Sequence, residues 1–467
     1  MILAKATSAA RLYAVSLLLF TLCACSPFAP QPRPGAELTL PPQFSLYSSN
    51  LEQASNWWAD FAWEDLDGLI NKALAQNLSL QEAWARLQQA QAKITVSSAA
   101  NWPDLNYEGK ASHSRSGKKL AGDTQISTSE SFSLSLASSY EVDLWGRVAA
   151  NIQADTLSAQ ASEDDWRTAR LTIAAQVAQT WIKLVAQDGL VPLAQQRWQR
   201  AQQQLQLLQL RYRQGMATGI DVAEQQRRVA EYRATLLPLE EQQQQLTFEL
   251  ALLVGELPSW RWTASQTTLP QFNALANIGI PADLLAQRPD VRAAGLRLQA
   301  ADWYVSAAQA ERLPALRLSA SAAATDSNHI NELFDNWLAN LAASVTGPLF
   351  DAGQRRAAIT SAQAVVDERL ANYQQTVLTA MNEVETALMQ ENKREQELQA
   401  INTQLKHQNS VCEQQQRRYV NGNSSYLAVL ENHQTLTLLQ LQQLQMQRDL
   451  LLARSALHRA IGGRSTL

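Results

Sequence analysis

The sequence predicts a mainly α-helical chain: long coiled-coil helices plus four strands of the kind that line a transmembrane β-barrel. Three observations carry that prediction. They are an internal duplication, a sustained 3.5-residue apolar period, and segments alternating apolar with small polar residues. The composition agrees. In 467 residues there are 17 glycines and 15 prolines, too few turn formers for many short elements. The net charge is −4, and no basic stripe with interleaved aromatics points to nucleic acid. Three cysteines cannot build a disulfide framework.

In chain order, residues 1–24 read as a processing signal. Lys5 and Arg11 precede an apolar stretch, Leu12 to Leu22, that is too short to span a bilayer. Leu22-Cys23-Ala24-Cys25 resembles the bacterial lipobox, which makes Cys25 the acylated residue. Ser26 follows in place of the aspartate that retains such lipoproteins in the inner membrane. An ordinary secretory signal is the alternative. Residues 25–56, proline-rich from Ser26 to Pro42, then read as a lipid-anchored tether.

The rest of the chain is written twice, as residues 57–270 and 271–467. A shift of 211 lays Pro103 on Pro314 and Leu87 on Leu298; a shift of 207 lays Gly146 on Gly353, Gly215 on Gly422 and Gly255 on Gly462. The change of offset confines the length difference to the segment between Pro103 and Gly146.

That segment reads as a β-hairpin over 103–144, mirrored over 314–350. Phe132, Leu134, Leu136, Tyr140, Val142 and Leu144 fall on one face, with Ser131, Ser133, Ser135, Ser139, Glu141 and Asp143 on the other. Period two between apolar and small polar residues suits a strand with lipid on one side and water on the other. Trp337, Leu341, Val345 and Leu349 sit on the equivalent face of the second copy. Polar loops are expected over Ser114 to Ser129 and Thr325 to Glu332. A soluble hairpin lying on helices is the alternative.

Helices fill the remainder: 146–214 and 220–254 after the first hairpin, 353–421 and 426–461 after the second, with one helix before each hairpin. Trp198, Ala201, Leu205, Leu208 and Tyr212 step by 3 and 4, as do Leu405, Gln408, Cys412, Gln415 and Tyr419. A sustained 3.5 period winds helices around each other. Cys412 takes the slot of Leu205 and reads as a small buried hydrophobe. Gly189 and Pro192 fall inside the first long helix and Pro238 inside its successor. Bends are therefore expected, and whether the prolines break or only kink their helices stays open.

Four strands cannot close a barrel, and an open sheet in lipid leaves edge groups unpaired at several kcal/mol each. Copies must pool their strands, with polar faces turned to a shared water-filled path. The geometry implies a conduit.

Specific segments resemble lipidated members of the TolC family of outer-membrane efflux proteins. They are Trp57-Trp58-Ala59-Asp60-Phe61, Leu284 to Val291, Tyr140 to Arg147 and Gly347 to Gly353. The resemblance implies a homotrimer with a twelve-stranded barrel and an α-helical tunnel crossing the periplasm. It implies partners too: a periplasmic adaptor, an inner-membrane pump and outer-membrane lipid. Adaptor docking falls to the helical-hairpin tips, here Tyr212, Gly215, Thr218 and Gly219 in one repeat and Tyr419, Gly422 and Ser425 in the other. A bare turn role is the alternative for these residues. The periplasmic gate of the family corresponds to Asp221, Glu224 and Glu431, with Ala428 where other branches carry an acid; solvated surface acids are the alternative there.

No catalytic constellation stands out. The five histidines form no H-E-x-x-H pair, and no nucleophile elbow or phosphate loop is present. His407 and Cys412 lack further ligands nearby for a metal, so no cofactor is expected. Two other readings stay open: the outer component of a type I protein secretion system, and a periplasmic coiled-coil scaffold lipoprotein. The cargo is not legible.

Overall fold

A computed structural model of the chain describes residues 27–31, 64–120, 123–262, 269, 288–326 and 333–463. The signal segment 1–24, Cys25, Trp57–Phe61 and Leu284–Gln287 lie outside the described residues, as does most of the expected tether. The elements run in order α1 (Glu64–Gln76), α2 (Leu78–Ala99), β1 (Asp104–Leu120), β2 (Asp123–Val142), α3 (Arg147–Arg213), α4 (Gly219–Leu253), α5 (Pro289–Ala310), β3 (Ala315–Asp326), β4 (Trp337–Thr346), α6 (Gln354–Val420) and α7 (Tyr426–Ala460).

The duplication shows in the element lengths. α3 and α6 are both 67 residues long, and α4 and α7 are both 35. Their boundaries are offset by 207, and those of α2 and α5, each of 22 residues, by 211.

Contacts divide the chain into two compact units. Among the described residues, one gathers those of Arg86–Glu163 and Ala293–Gln374; the other gathers 64–85 and those of Asp164–Arg292 and Gln375–Leu467. The first unit holds the sheet, an antiparallel array in the order β1-β2-β3-β4. Its small helical core includes Leu298, Ala301 and Val366. A carboxylate is buried there as well. Asp155 on α3 accepts from Tyr304 Oη (2.5 Å) and from Ser97, and pairs with Lys93 Nζ at 2.8 Å. Burial pushes its carboxyl upward, but these donors outweigh burial and hold it below the usual range.

The second unit has the larger core, built around the fully buried Trp181 with Leu66, Ile70, Ile182, Leu250 and Leu451. Between its helices, glutamine side chains donate across the seams to carbonyls of the facing helix: Gln187 to Leu239 (2.7 Å), Gln225 to Ala201 (2.9 Å), Gln434 to Arg197 (3.1 Å). Each amide nitrogen finds a carbonyl across the seam, which fixes the helix register, although the Gln434 Oε1 is buried without a partner.

The prolines break neither helix, and three expectations are corrected. The long helix is not divided: α3 runs unbroken through Gly189 and Pro192, and α4 through Pro238. Side-chain bonds beside both prolines, Gln187 to Leu239 O and Gln243 to Asp188 (2.6 Å), brace the weakened stretch. The helix before the first hairpin, by contrast, is two. Asn77 interrupts it and caps the second piece, accepting from Ser79 N (3.0 Å) and Leu80 N (3.2 Å). The polar segment Ser114–Ser129 is not a loop: β1 and β2 continue through most of it, to Leu120 and from Asp123. Small hydroxyl residues pair across the strands there, Ser112 with Ser131 (2.8 Å) and Ser114 with Ser129 (2.7 Å), so polarity did not mean irregular backbone. Finally, β4 ends at Thr346 and leaves Leu349 beyond it. Pro348 has no N–H for a ladder.

Candidate functional site

The sheet sorts its residues cleanly. Register places Leu105 and Tyr107 with Phe132, Leu134, Leu136, Tyr140 and Val142, then Leu316 and Leu318, then Leu341 and Val345, on one face. This face lies open: Tyr107 is 82% and Leu341 86% exposed. The opposite face carries Ser133, Ser135, Ser139, Ser319, Ser321 and Ser344, with a few charges. Among those, Glu141 takes a two-pronged bond from Arg147 (2.7 and 3.1 Å) and lies 3.5 Å from Arg317. The eleven residues Phe132 to Val142, whose alternate positions make the apolar register, rise about 25 Å if the strand tilts about 45°. That matches the lipid-facing band of a barrel strand. β1 and β4 form the two outer edges of the sheet.

At each helical hairpin tip, a glycine in the left-handed region ends the long helix: Gly215 at φ +72 and Gly422 at φ +73. Bonds from Met216 N to Arg211 O and from Asn423 N to Arg418 O, both 2.8 Å, close the two turns alike. The next helix is capped differently in each repeat. Thr218 and Asp221 form a reciprocal capping box, with Thr218 N donating to Asp221 Oδ2 at 2.8 Å. Ser425 accepts from Ala428 N at 3.2 Å, and Ala428 has nothing to return. Around these turns the apolar side chains stay uncovered: Tyr212, Met216 and Ile220 at one tip, Val420 and Tyr426 at the other. The Tyr419 and Tyr426 rings pack tilted at 45°, with centroids 5.4 Å apart. Gly219 approaches the Tyr212 ring, its added Cβ falling 3.9 Å away.

Of the three acids expected at a gate, Asp221 is occupied by its cap. Backbone N–H donation from Thr218 holds its carboxyl below the usual range. Glu224 pairs with Arg228 at 2.9 Å, and Glu431 is exposed on α7. Cys412 is buried and its thiol is pushed up by burial; Gln408 and Cys412 both reach Asn432 O, at 3.1 and 3.4 Å. Among the described residues, no group of three or more His, Cys, Asp or Glu is placed to hold a metal ion.

Sequence reasoning missed one matched pair of anchors. Asn77 Nδ2 donates to Leu253 O, at the end of α4, at 2.9 Å. Arg288 NH1 donates to Ala460 O, at the end of α7, at 2.8 Å. The repeat shifts relate both donors and both acceptors, so two unlike side chains do one job. Arg288 is also clamped by Asp290 (2.7 Å) and Glu383 (2.9 Å). The shift of 211 aligned Asn77 with Arg288, but an amide against a guanidinium gave no sign of equivalence.

Known proteins resemble this arrangement throughout. The family model described as outer membrane efflux protein matches residues 69–256 and again 280–463. The pyoverdine export outer membrane protein OpmQ of Pseudomonas aeruginosa is 32% identical over 449 residues, covering 91% of each chain. A crystal structure of CusC superposes with a TM-score of 0.79 at 25% identity, covering 94% of this chain and 100% of that one. The open state of the MtrE outer membrane channel of Neisseria gonorrhoeae gives a TM-score of 0.81 at 22% identity, over 95% of this chain and 100% of its own. With two family matches laid on its two repeats, the chain belongs to the outer membrane efflux protein family.

Proposed function

We propose that this chain is the outer-membrane exit duct of a tripartite efflux system, a conduit that passes small molecules and catalyses no reaction. The observation that carries this reading is the four-stranded sheet with one apolar face, one serine-rich face and two open edges. In lipid those edges are satisfied only by the β4 of one copy pairing with the β1 of the next. Three copies give twelve strands, and the serine faces then enclose water. The homotrimer works with a periplasmic adaptor and an inner-membrane pump. Relatives named for pyoverdine export and for cation efflux support a small-molecule cargo.

The finer assignments belong to the same proposal. Cys25 carries the lipid after removal of 1–24, and 25–56 is the tether. The uncovered apolar tips around Tyr212, Gly215, Thr218, Gly219, Tyr419, Gly422 and Ser425 meet the adaptor, since exposed apolar patches rimmed by polar residues mark contact sites. A threefold ring of Glu431, Glu224 or Asp221 would repel itself and attract cations, which suits a cation-sensitive closure. A deletion strain tests the duct directly. It should become more susceptible to some members of a toxic-compound panel, with resistance restored by the intact gene and not by a tip-deleted one. Unchanged susceptibility and unchanged export of every compound would count against the reading.

A further inference from the structure

The two hairpins of the sheet differ in reach. β1 and β2 are 17 and 20 residues long, β3 and β4 only 12 and 10. The continuous apolar rows end at Ala111–Phe132, and the first hairpin continues beyond them as a mostly polar ribbon in which Ile126 is an exposed apolar exception. On the side that continues the apolar face, the next rows are His113–Glu130, Arg115–Thr128, Gly117–Ile126 and Lys119–Thr124. His113 Nδ1 and Glu130 Oε1 are paired at 3.1 Å. Arg115 is exposed and faces a neutral threonine. Between Gly109 and Ser129 the chain holds four Lys or Arg and one acid, although its total charge is −4.

We propose that this outward flank binds the phosphorylated headgroups of glycolipid in the outer leaflet, with Arg115 as the phosphate contact and the lysines of the same ribbon adding positive charge. The inference rests on the duct reading, which sets the apolar face against lipid. The depth selects the occupant. Same-face rows lie about 7 Å apart along a strand, so Arg115 sits two rows past Ala111–Phe132, where the continuous apolar rows end, at the level of headgroups. A soluble anionic partner would meet the end of the ribbon, not the flank that continues the lipid face. Guanidinium matches phosphate by paired donors, which lysine supplies only as a point charge. Among the described residues, the ladder of the second hairpin ends at Ala324–Trp337, near the end of the continuous apolar rows.

The test uses the purified full-length protein in detergent. It is incubated with a bis-phosphorylated glycolipid or with the same glycolipid stripped of phosphate, and bound lipid is counted by native mass spectrometry. Wild type should retain the phosphorylated form at least about fivefold better. Arg115→Gln with Lys119→Gln should abolish the preference, and Arg115→Lys should keep part of it. Equal retention of both lipids, indifference to the double substitution, or complete displacement by inorganic phosphate alone would overturn the proposal. Trimer mass and single-channel conductance are read on the same samples. If both are normal while the phosphate preference is absent, only this surface falls; if either is missing, the duct reading falls and takes the surface with it.

Discussion

Gly255 and Gly215 share nearly one backbone conformation, φ +76 and +72, yet their surroundings separate them. A Cβ on Gly255 would sit 2.8 Å from the Gln76 carbonyl, while one on Gly215 would meet open space. Gly215→Ala should therefore cost roughly 1 kcal/mol of backbone strain. Gly255→Ala should cost distinctly more, because the Asn77 cap and the end of α4 must also part. Thermal unfolding of the two variants checks the order. A second residue-scale prediction concerns His458. Burial, then the nearby Arg454 charge, push its pKa from 6.5 to about 4. The folded state therefore holds the neutral ring while the unfolded chain takes up a proton below about 6.5. Stability is fully present above that pH and falls as pH drops toward 4, by on the order of 3 kcal/mol. His458→Gln should flatten this segment of the stability profile measured by denaturant titration. The pair Arg454–Glu391 beside it is buried, at 9% and 1% exposure. The first repeat places Leu184 and Thr247 at the corresponding positions. Glu391→Leu alone should cost about 3–5 kcal/mol by taking away the buried carboxylate that faces the arginine, and Glu391→Leu with Arg454→Thr should recover most of it.

Among the elements, the helical hairpins invite the sharpest comparison. Thr218 and Asp221 cap α4 reciprocally, whereas Ser425 caps α7 with half of that motif. Thr218→Ala should loosen its tip by about 1–2 kcal/mol, Ser425→Ala by less, and Ala428→Asp should tighten the second tip by completing the box. Amide hydrogen exchange over Val222–Gln225 and Val429–Asn432 reads all three. The tip chemistry was legible in the sequence because glycine and hydroxyl spacing are local signals. The Asn77 interruption was not, since an asparagine inside a helical period looks tolerable until its partner at Leu253, 176 residues away, is known. Whether the prolines break their helices was not legible for the same reason: propensity counts the lost ladder bond at Pro192 but not the glutamine bonds across the seam. The polar half of the first hairpin was misjudged because serine runs read as loop when no apolar partner marks a face. Register, fixed lower down by Phe132 to Val142, carries the pairing upward.

For the whole molecule, duplication explains why one chain supplies four strands and two helical hairpins of equal length. Three chains then give a closed barrel without any free edge in lipid, the condition that backbone hydrogen bonding imposes. The repeat, the strand faces and the helix seams could all be read from the sequence, as they follow from short periods. The candidate gate was legible only by position, and its acids turn out to differ in local duty, Asp221 capping a helix and Glu224 pairing with Arg228. The most direct test of strand pooling is the mass of the purified protein in detergent, by light scattering corrected for bound detergent. A complex of three chains is the predicted result, and a stable monomer that retains its strands would contradict it.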